Sequence, residues 1–133
     1  MEGGIKDLSV YRLNNAKEDL ERAKKAFESA DNKLSLNRSY YAIFHAVRAV
    51  NAMDGYDSKK HSGVISHFNH EHVKNGDFPM DVSKMISGAM DFRQKSDYED
   101  FYIVSKDDAQ EQLKNAEYII DLIDSFLSAK WNS

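Results

Sequence analysis

The residues of this chain best suited to chemistry are Arg38, Tyr41, His45 and Arg48, in the stretch Asn37-Arg38-Ser39-Tyr40-Tyr41-Ala42-Ile43-Phe44-His45-Ala46-Val47-Arg48-Ala49. An arginine holds a phosphate oxygen pair through two donors, and a histidine moves a proton near neutral pH. Cleaving RNA without a metal needs a group to take the 2′-hydroxyl proton, one to protonate the leaving oxygen, and a cation to meet the charge on the phosphorane. One arginine and one histidine per chain is a sparse set. A homodimer that faced two such helices across a two-fold axis would double it. The plainer reading of the same residues is a core histidine with arginines in salt bridges, because charged helix faces are often structural.

These four residues share a stripe only on a helix. The stretch contains neither Pro nor Gly, and its large apolar residues Leu36, Tyr40, Ile43, Phe44, Val47 and Val50 recur at helical spacing. Arg38 and His45 are seven positions apart, which at about 100° per residue returns to nearly the same face, about 10.5 Å further along the axis. A helix from about Ser35 to Met53 is therefore expected, stopped by Asp54-Gly55, with the glycine in a left-handed cap.

Two further groups carry possible chemistry. His61, His67, His70, Glu71 and His72 cluster in sequence, and a helix could aim His67 with His70 or Glu71 at one point. Yet neither a Glu-x-x-His nor a His-Glu-x-x-His pattern is present. No metal or other cofactor is expected, and His61 is at most a phosphate-proximal residue at a helix start or an ordinary loop histidine. Arg93 precedes Asp97 by four, the spacing of an ion pair at a helix end. Tyr98, Phe101 and Tyr102 read as an aromatic plug over one end of the fold.

The remaining chain reads as positioning elements. The first helix, about Ile5 to Ala30, lays Leu8, Leu13, Leu20 and Phe27 with Ala16, Ala23 and Ala30 along one stripe, and Asp31-Asn32-Lys33 is the turn. A short third helix carries Val64, Ile65, Phe68 and Val73 and ends near Asn75-Gly76. A fourth carries Val82, Met85, Ile86, Ala89, Met90 and Phe92 to about Lys95. A last one starts at Ser105, whose hydroxyl can cap it, and runs to about Ala129. The expected architecture is an all-α, antiparallel up-and-down bundle of about five helices, one domain over residues 1–133.

Composition agrees. Of 133 residues, 41% are hydrophobic and 30% charged, the balance of a soluble domain. Net charge is −4, so broad adsorption to nucleic acid is not expected, and any RNA contact must be a local positive patch. There is no cysteine, which excludes disulfides and thiolate chemistry and fits a cytoplasmic location. Neither a membrane span nor a signal peptide is expected. No phosphate-binding Gly-rich loop or G-x-S-x-G elbow is present.

With these residues in hand, the chain resembles the HEPN domain (higher eukaryotes and prokaryotes nucleotide-binding), most of all its small stand-alone bacterial and archaeal members. The resemblance rests on Arg38-Ser39-Tyr40-Tyr41-Ala42-Ile43-Phe44-His45-Ala46, then Lys60-His61-Ser62-Gly63-Val64-Ile65-Ser66-His67-Phe68, then Arg93-Gln94-Lys95-Ser96-Asp97-Tyr98, and a final helix with Ala109, Leu113 and Ala116. It covers about Asp19 to Leu127. It implies a helical bundle, commonly a homodimer, and two possible roles. Many such proteins are metal-independent ribonucleases, often toxins of toxin–antitoxin pairs, with an R-x(4–6)-H motif at the dimer cleft. Arg38 and His45 match it with six residues between them. Their substrate-side neighbours are then Tyr41, Arg48, His61 and Arg93. Others are non-catalytic subunits that bind nucleotide or nucleic acid and partner a minimal nucleotidyltransferase, which can serve as the antitoxin. Active members often carry Asn, Asp or His directly after the motif arginine, where this chain has Ser39.

Overall fold

The structure is a computed structural model that describes residues 4–133. Among them, helices α1 (Ile5–Glu28), α2 (Asn32–Met53), α3 (His61–Phe68), α4 (Met80–Tyr98) and α5 (Lys106–Trp131) form an all-α bundle. A π-helical turn, Asn69–Val73, extends α3.

Helix α2 is the hub, in contact with every other helix. Its Tyr40, Ile43, Val47 and Val50 are almost wholly excluded from water, as are Leu13, Phe68, Ile86, Ile119, Ile123 and Leu127 around it. The hydrophobic effect thus wraps four helices around one, and the stripe predicted for α2 is the core of the bundle.

The tightest pair is α1 with α2. Both helices present alanines with no exposed surface, Ala16 and Ala23 from α1 and Ala42, Ala46 and Ala49 from α2. Small side chains let the two backbones approach. Hydroxyls on one helix can then reach carbonyls on the other: Ser9 Oγ donates to the Ala49 carbonyl at 2.8 Å, and Ser35 Oγ to that of Ala23 at 2.9 Å. These two bonds fix an antiparallel register. At the far end Trp131 Nε1 donates to Ser9 Oγ at 3.1 Å, which seats α5 antiparallel on α1.

The chain turns from α1 to α2 earlier than the Asp31-Asn32-Lys33 turn read from sequence. Ala30 takes a left-handed conformation (φ 62°), and the amides of Asp31 and Ala30 bond back to the carbonyls of Ala26 and Phe27. This is a Schellman ending without the glycine that usually announces it. Asp31 is then the N-cap of α2, accepting from the Leu34 amide at 3.2 Å. Ser105 caps α5 as expected, accepting from Asp108 at 3.0 Å. Gly55 is left-handed after α2 (φ 72°), also as expected.

Three placements differ from the sequence reading. Leu8 is exposed and Ser9 is buried in its stead, because the α1 stripe tracks Ser9, Arg12, Ala16, Asp19 and Ala23. Helix α4 runs on to Tyr98, past the end expected near Lys95. Tyr98 and Phe101 form no plug: they are 75% and 100% exposed, and only Tyr102 packs inward, against the Leu36–Val104–Ala109 cluster.

If the alanine seam sets the α1–α2 distance, Ala46→Leu should push the helices apart. Urea denaturation is expected to show a loss of about 1–3 kcal/mol, the usual cost of an overpacked core. An unchanged midpoint would mean that the seam is not tightly packed.

Candidate functional site

The register that pairs Ser9 with Ala49 and Ser35 with Ala23 sets Asp19 of α1 opposite the Arg38–His45 stretch of α2. The Asp19 side chain is only 5% exposed. Its Oδ1 receives Arg38 Nη1 at 3.2 Å and Arg22 Nη1 at 3.0 Å, and its Oδ2 stands 3.4 Å from His45 Nε2. One buried carboxylate therefore joins both residues of the R-x6-H pair. Such a carboxylate is tolerated only because it is paired, since stripping a partner from a buried ion pair costs about 3–5 kcal/mol.

Arg38 is held on its other edge by Asn37, whose Oδ1 accepts from Nε at 3.2 Å and from Nη2 at 2.8 Å. Three of the five guanidinium N–H groups are thus engaged. Two remain on a side chain that is 30% exposed, so the arginine is oriented and still able to receive an anion. The guanidinium also lies 5.1 Å over the Tyr41 ring.

Burial pulls His45 below the ordinary histidine value of 6.5. Asp19 opposes this, and Arg48, Arg38 and Arg12 reinforce it. At neutral pH the ring is therefore neutral and can accept a proton. Because its folded-state value lies below its unfolded one, the stability it contributes is present above pH 6.5 and lost as pH falls through the folded value.

The other candidates converge on the same face. Arg48 Nη2 donates to Asp57 Oδ1 at 2.8 Å, and Arg12 Nη2 reaches Asp57 Oδ2 at 3.2 Å. The Arg48 hydrogen bond, aided by Arg12, holds the Asp57 carboxyl below the usual aspartate range. His61 is the first residue of α3, stacked 4.0 Å from Phe44, with Nδ1 2.7 Å from Tyr40 Oη. Burial pushes the Tyr40 phenol up to about 12, so it stays protonated within this hydrogen bond. Burial, with Arg93 and Arg48, also lowers the His61 value. Arg93 lies 5.3 and 5.4 Å over the Tyr40 and Tyr41 rings, and its Nε is 3.4 Å from Asp97 Oδ2.

The six residues singled out by sequence, Arg38, Tyr41, His45, Arg48, His61 and Arg93, thus line one surface. The carboxylates that organise it, Asp19 and Asp57, with Asn37 and Arg12, were missed. Asp19 and Arg12 did leave a signal, since both fall on the buried α1 stripe, Asp19 between Ala16 and Ala23 and Arg12 between Ser9 and Ala16, where a charge needs a partner. Ser39 takes no part in the surface. It is fully buried, with its Oγ unpaired.

The chain has relatives among known proteins. The chain matches the HEPN domain family model over residues 9–126 and belongs to that family. It is 38% identical to a UPF0332 protein of Archaeoglobus fulgidus, over 82% of this chain and 86% of that protein. It is 32% identical to a Methanocaldococcus jannaschii protein named "Putative toxin MJ0605", over 81% of this chain and 80% of the relative. A UPF0332 protein of Thermotoga maritima is 29% identical, over 88% and 89% of the two chains. A HEPN-domain protein is the class that the fold and these relatives define.

The geometry makes a pH prediction that needs no substrate. In an NMR titration, the His45 ring should show a midpoint below 6.5. In Asp19→Asn it should move lower still, because the carboxylate charge that raises it is removed. A wild-type midpoint at or above 6.5, or an upward move in the variant, would contradict the burial-dominated account.

Proposed function

We propose that the protein is a metal-independent endoribonuclease of toxin type that works as a homodimer, with Arg38 and His45 as its catalytic residues. The observation that carries this reading is the shared carboxylate: Asp19 orients Arg38 and His45 together on a partly open face. Arg38 offers its two unused N–H groups to the scissile phosphate and to the charge that grows on it. Neutral His45 takes the 2′-hydroxyl proton. Tyr41, Arg48, His61 and Arg93 line the path of the RNA, with the Tyr40 and Tyr41 rings under Arg93 as a cation–aromatic floor. The His45 imidazolium formed in this way gives its proton to the leaving 5′ oxygen, and two copies facing each other supply a second Arg38–His45 pair to the same cleft. The relative named "Putative toxin MJ0605" supports the same direction, and a toxin needs an antitoxin partner, for which a minimal nucleotidyltransferase is our choice. The site is proposed for a cytoplasmic protein, where its RNA substrate is.

One observation favours a second reading. Ser39 is buried rather than on the face, so the position after the motif arginine adds no polar group to the site. On that reading the chain is a non-catalytic nucleotide- or RNA-binding subunit of the nucleotidyltransferase.

The test is incubation of pure protein with a mixed tRNA and mRNA pool in EDTA, beside His45→Ala and Arg38→Gln, with circular dichroism confirming helix content. Wild-type cleavage to a cyclic phosphate and a free 5′-hydroxyl is expected, with at least a 100-fold loss in each folded variant, on the order of removing an acid–base or oxyanion group. Cleavage that persists in both variants rejects the catalytic assignment. Absence of cleavage, with a stable complex on co-expression with a nucleotidyltransferase, selects the second reading.

A further inference from the structure

At the opposite end of α2 from Arg38, three ligand-type side chains meet. Asp54, the C-cap of α2, places Oδ2 2.6 Å from His72 Nε2 and 2.9 Å from His67 Nε2. The three donor atoms all lie within 4.8 Å of one another. From this geometry we infer that Asp54, His67 and His72 form a binding site for a first-row divalent transition metal, with zinc the natural occupant.

The backbone is shaped to bring these groups together. His67 and His72 are five residues apart. On a regular α-helix that spacing leaves them about 140° apart around the axis. Here α3 widens into the π turn Asn69–Val73, with the Lys74 amide bonded to the Asn69 carbonyl five residues back. The wider turn carries His72 round towards His67. Single π turns are uncommon and recur at functional sites.

The surroundings suit a metal better than a plain polar cluster. His72 is 7% exposed and its Nδ1 stands 2.9 Å from Asp77 Oδ2. A neutral imidazole has one N–H. When His72 gives it to Asp77, the Nε2 lone pair faces the Asp54 carboxylate, a repulsive pairing that a cation between them makes bonding. A carboxylate behind a metal-bound histidine is also the usual outer-sphere support. His67 is oriented by the Tyr56 ring, stacked at 4.0 Å and 3° from parallel. Ligand atoms around a tetrahedral zinc stand about 3.3 Å apart at bonds of about 2.0–2.1 Å. Opening the two short contacts by less than about 1 Å makes that room. The fourth position faces a depression lined by His70, Glu71, Lys74 and Asn75, and is left to water. Two imidazoles with one carboxylate favour zinc and its neighbours over magnesium or calcium. One dication then balances Asp54 and Asp77. The ion ties the end of α2 to the α3–α4 connection and takes no part in the proposed RNA cleavage.

Untagged protein stripped with chelator and titrated with zinc by calorimetry should bind one equivalent and melt at a higher temperature when loaded. Cobalt in its place should show the visible bands of a tetrahedral site. His67→Gln, at a partly exposed side chain, should abolish both signals in a protein whose circular dichroism is unchanged, as should His72→Gln. Asp77→Asn should weaken binding about 10–100-fold, as loss of outer-sphere support does. His70→Gln, whose ring is 71% exposed and bonds only to Glu71, should leave binding intact. No binding by wild type, or binding that survives His67→Gln and falls in His70→Gln, overturns the site.

Discussion

Asp19 is the constraint on which the rest of this molecule turns. A carboxylate sealed between two helices must find cations there, because its desolvation has no other compensation. It finds Arg38 and Arg22, with the His45 ring beside them. The alanines beside it bring the helices close enough for that, and the two serine–carbonyl bonds prevent a slip of register that would separate the charges. The ion pair is therefore both a product of the packing and the device that orients the site. A helix pair built for stability alone would do as well with hydrocarbon at position 19.

The fold was legible because its signals are local and redundant. The apolar stripe of α2, the Ser105 cap and the Asp54-Gly55 stop each follow from a few neighbouring residues, and all reappear. What escaped were features without a side-chain signature. A left-handed Ala30 closes α1 where a glycine would have marked the end. Tyr98 and Phe101 are aromatic yet exposed, and periodicity over a loop cannot say which way a ring will face.

The site was half legible for a related reason. Residues on one helix, Arg38, Tyr41, His45 and Arg48, can be placed on a face by counting. Their carboxylate partners come from α1 and from the segment after α2, at separations of 19 and 9 residues, and no periodicity links them. The histidine run shows the same limit from the other side. Spacings of three and four point to His67 with His70 or Glu71, whereas the π turn joins His67 to His72 through Asp54. A count made on a 3.6-residue helix fails where the helix is not one.

The two carboxylates of the Arg–His face differ in what they would do for an incoming anion. Asp19 is 5% exposed and Asp57 56% exposed. Displacing Asp19 from Arg38 would leave a bare charge between two helices, so that pair stays closed. Displacing Asp57 returns an exposed carboxylate to water, and the buried Arg12 it leaves is compensated only when the incoming anion takes its place. Asp57 also sits outside the helices, between Gly55 and the start of α3. A phosphate can thus take over Arg48 and Arg12 by moving a short segment, with no helix displaced. On the proposed reading, the carboxylate that fixes Arg38 and His45 is the buried one, and the carboxylate that an anion would displace is the exposed one.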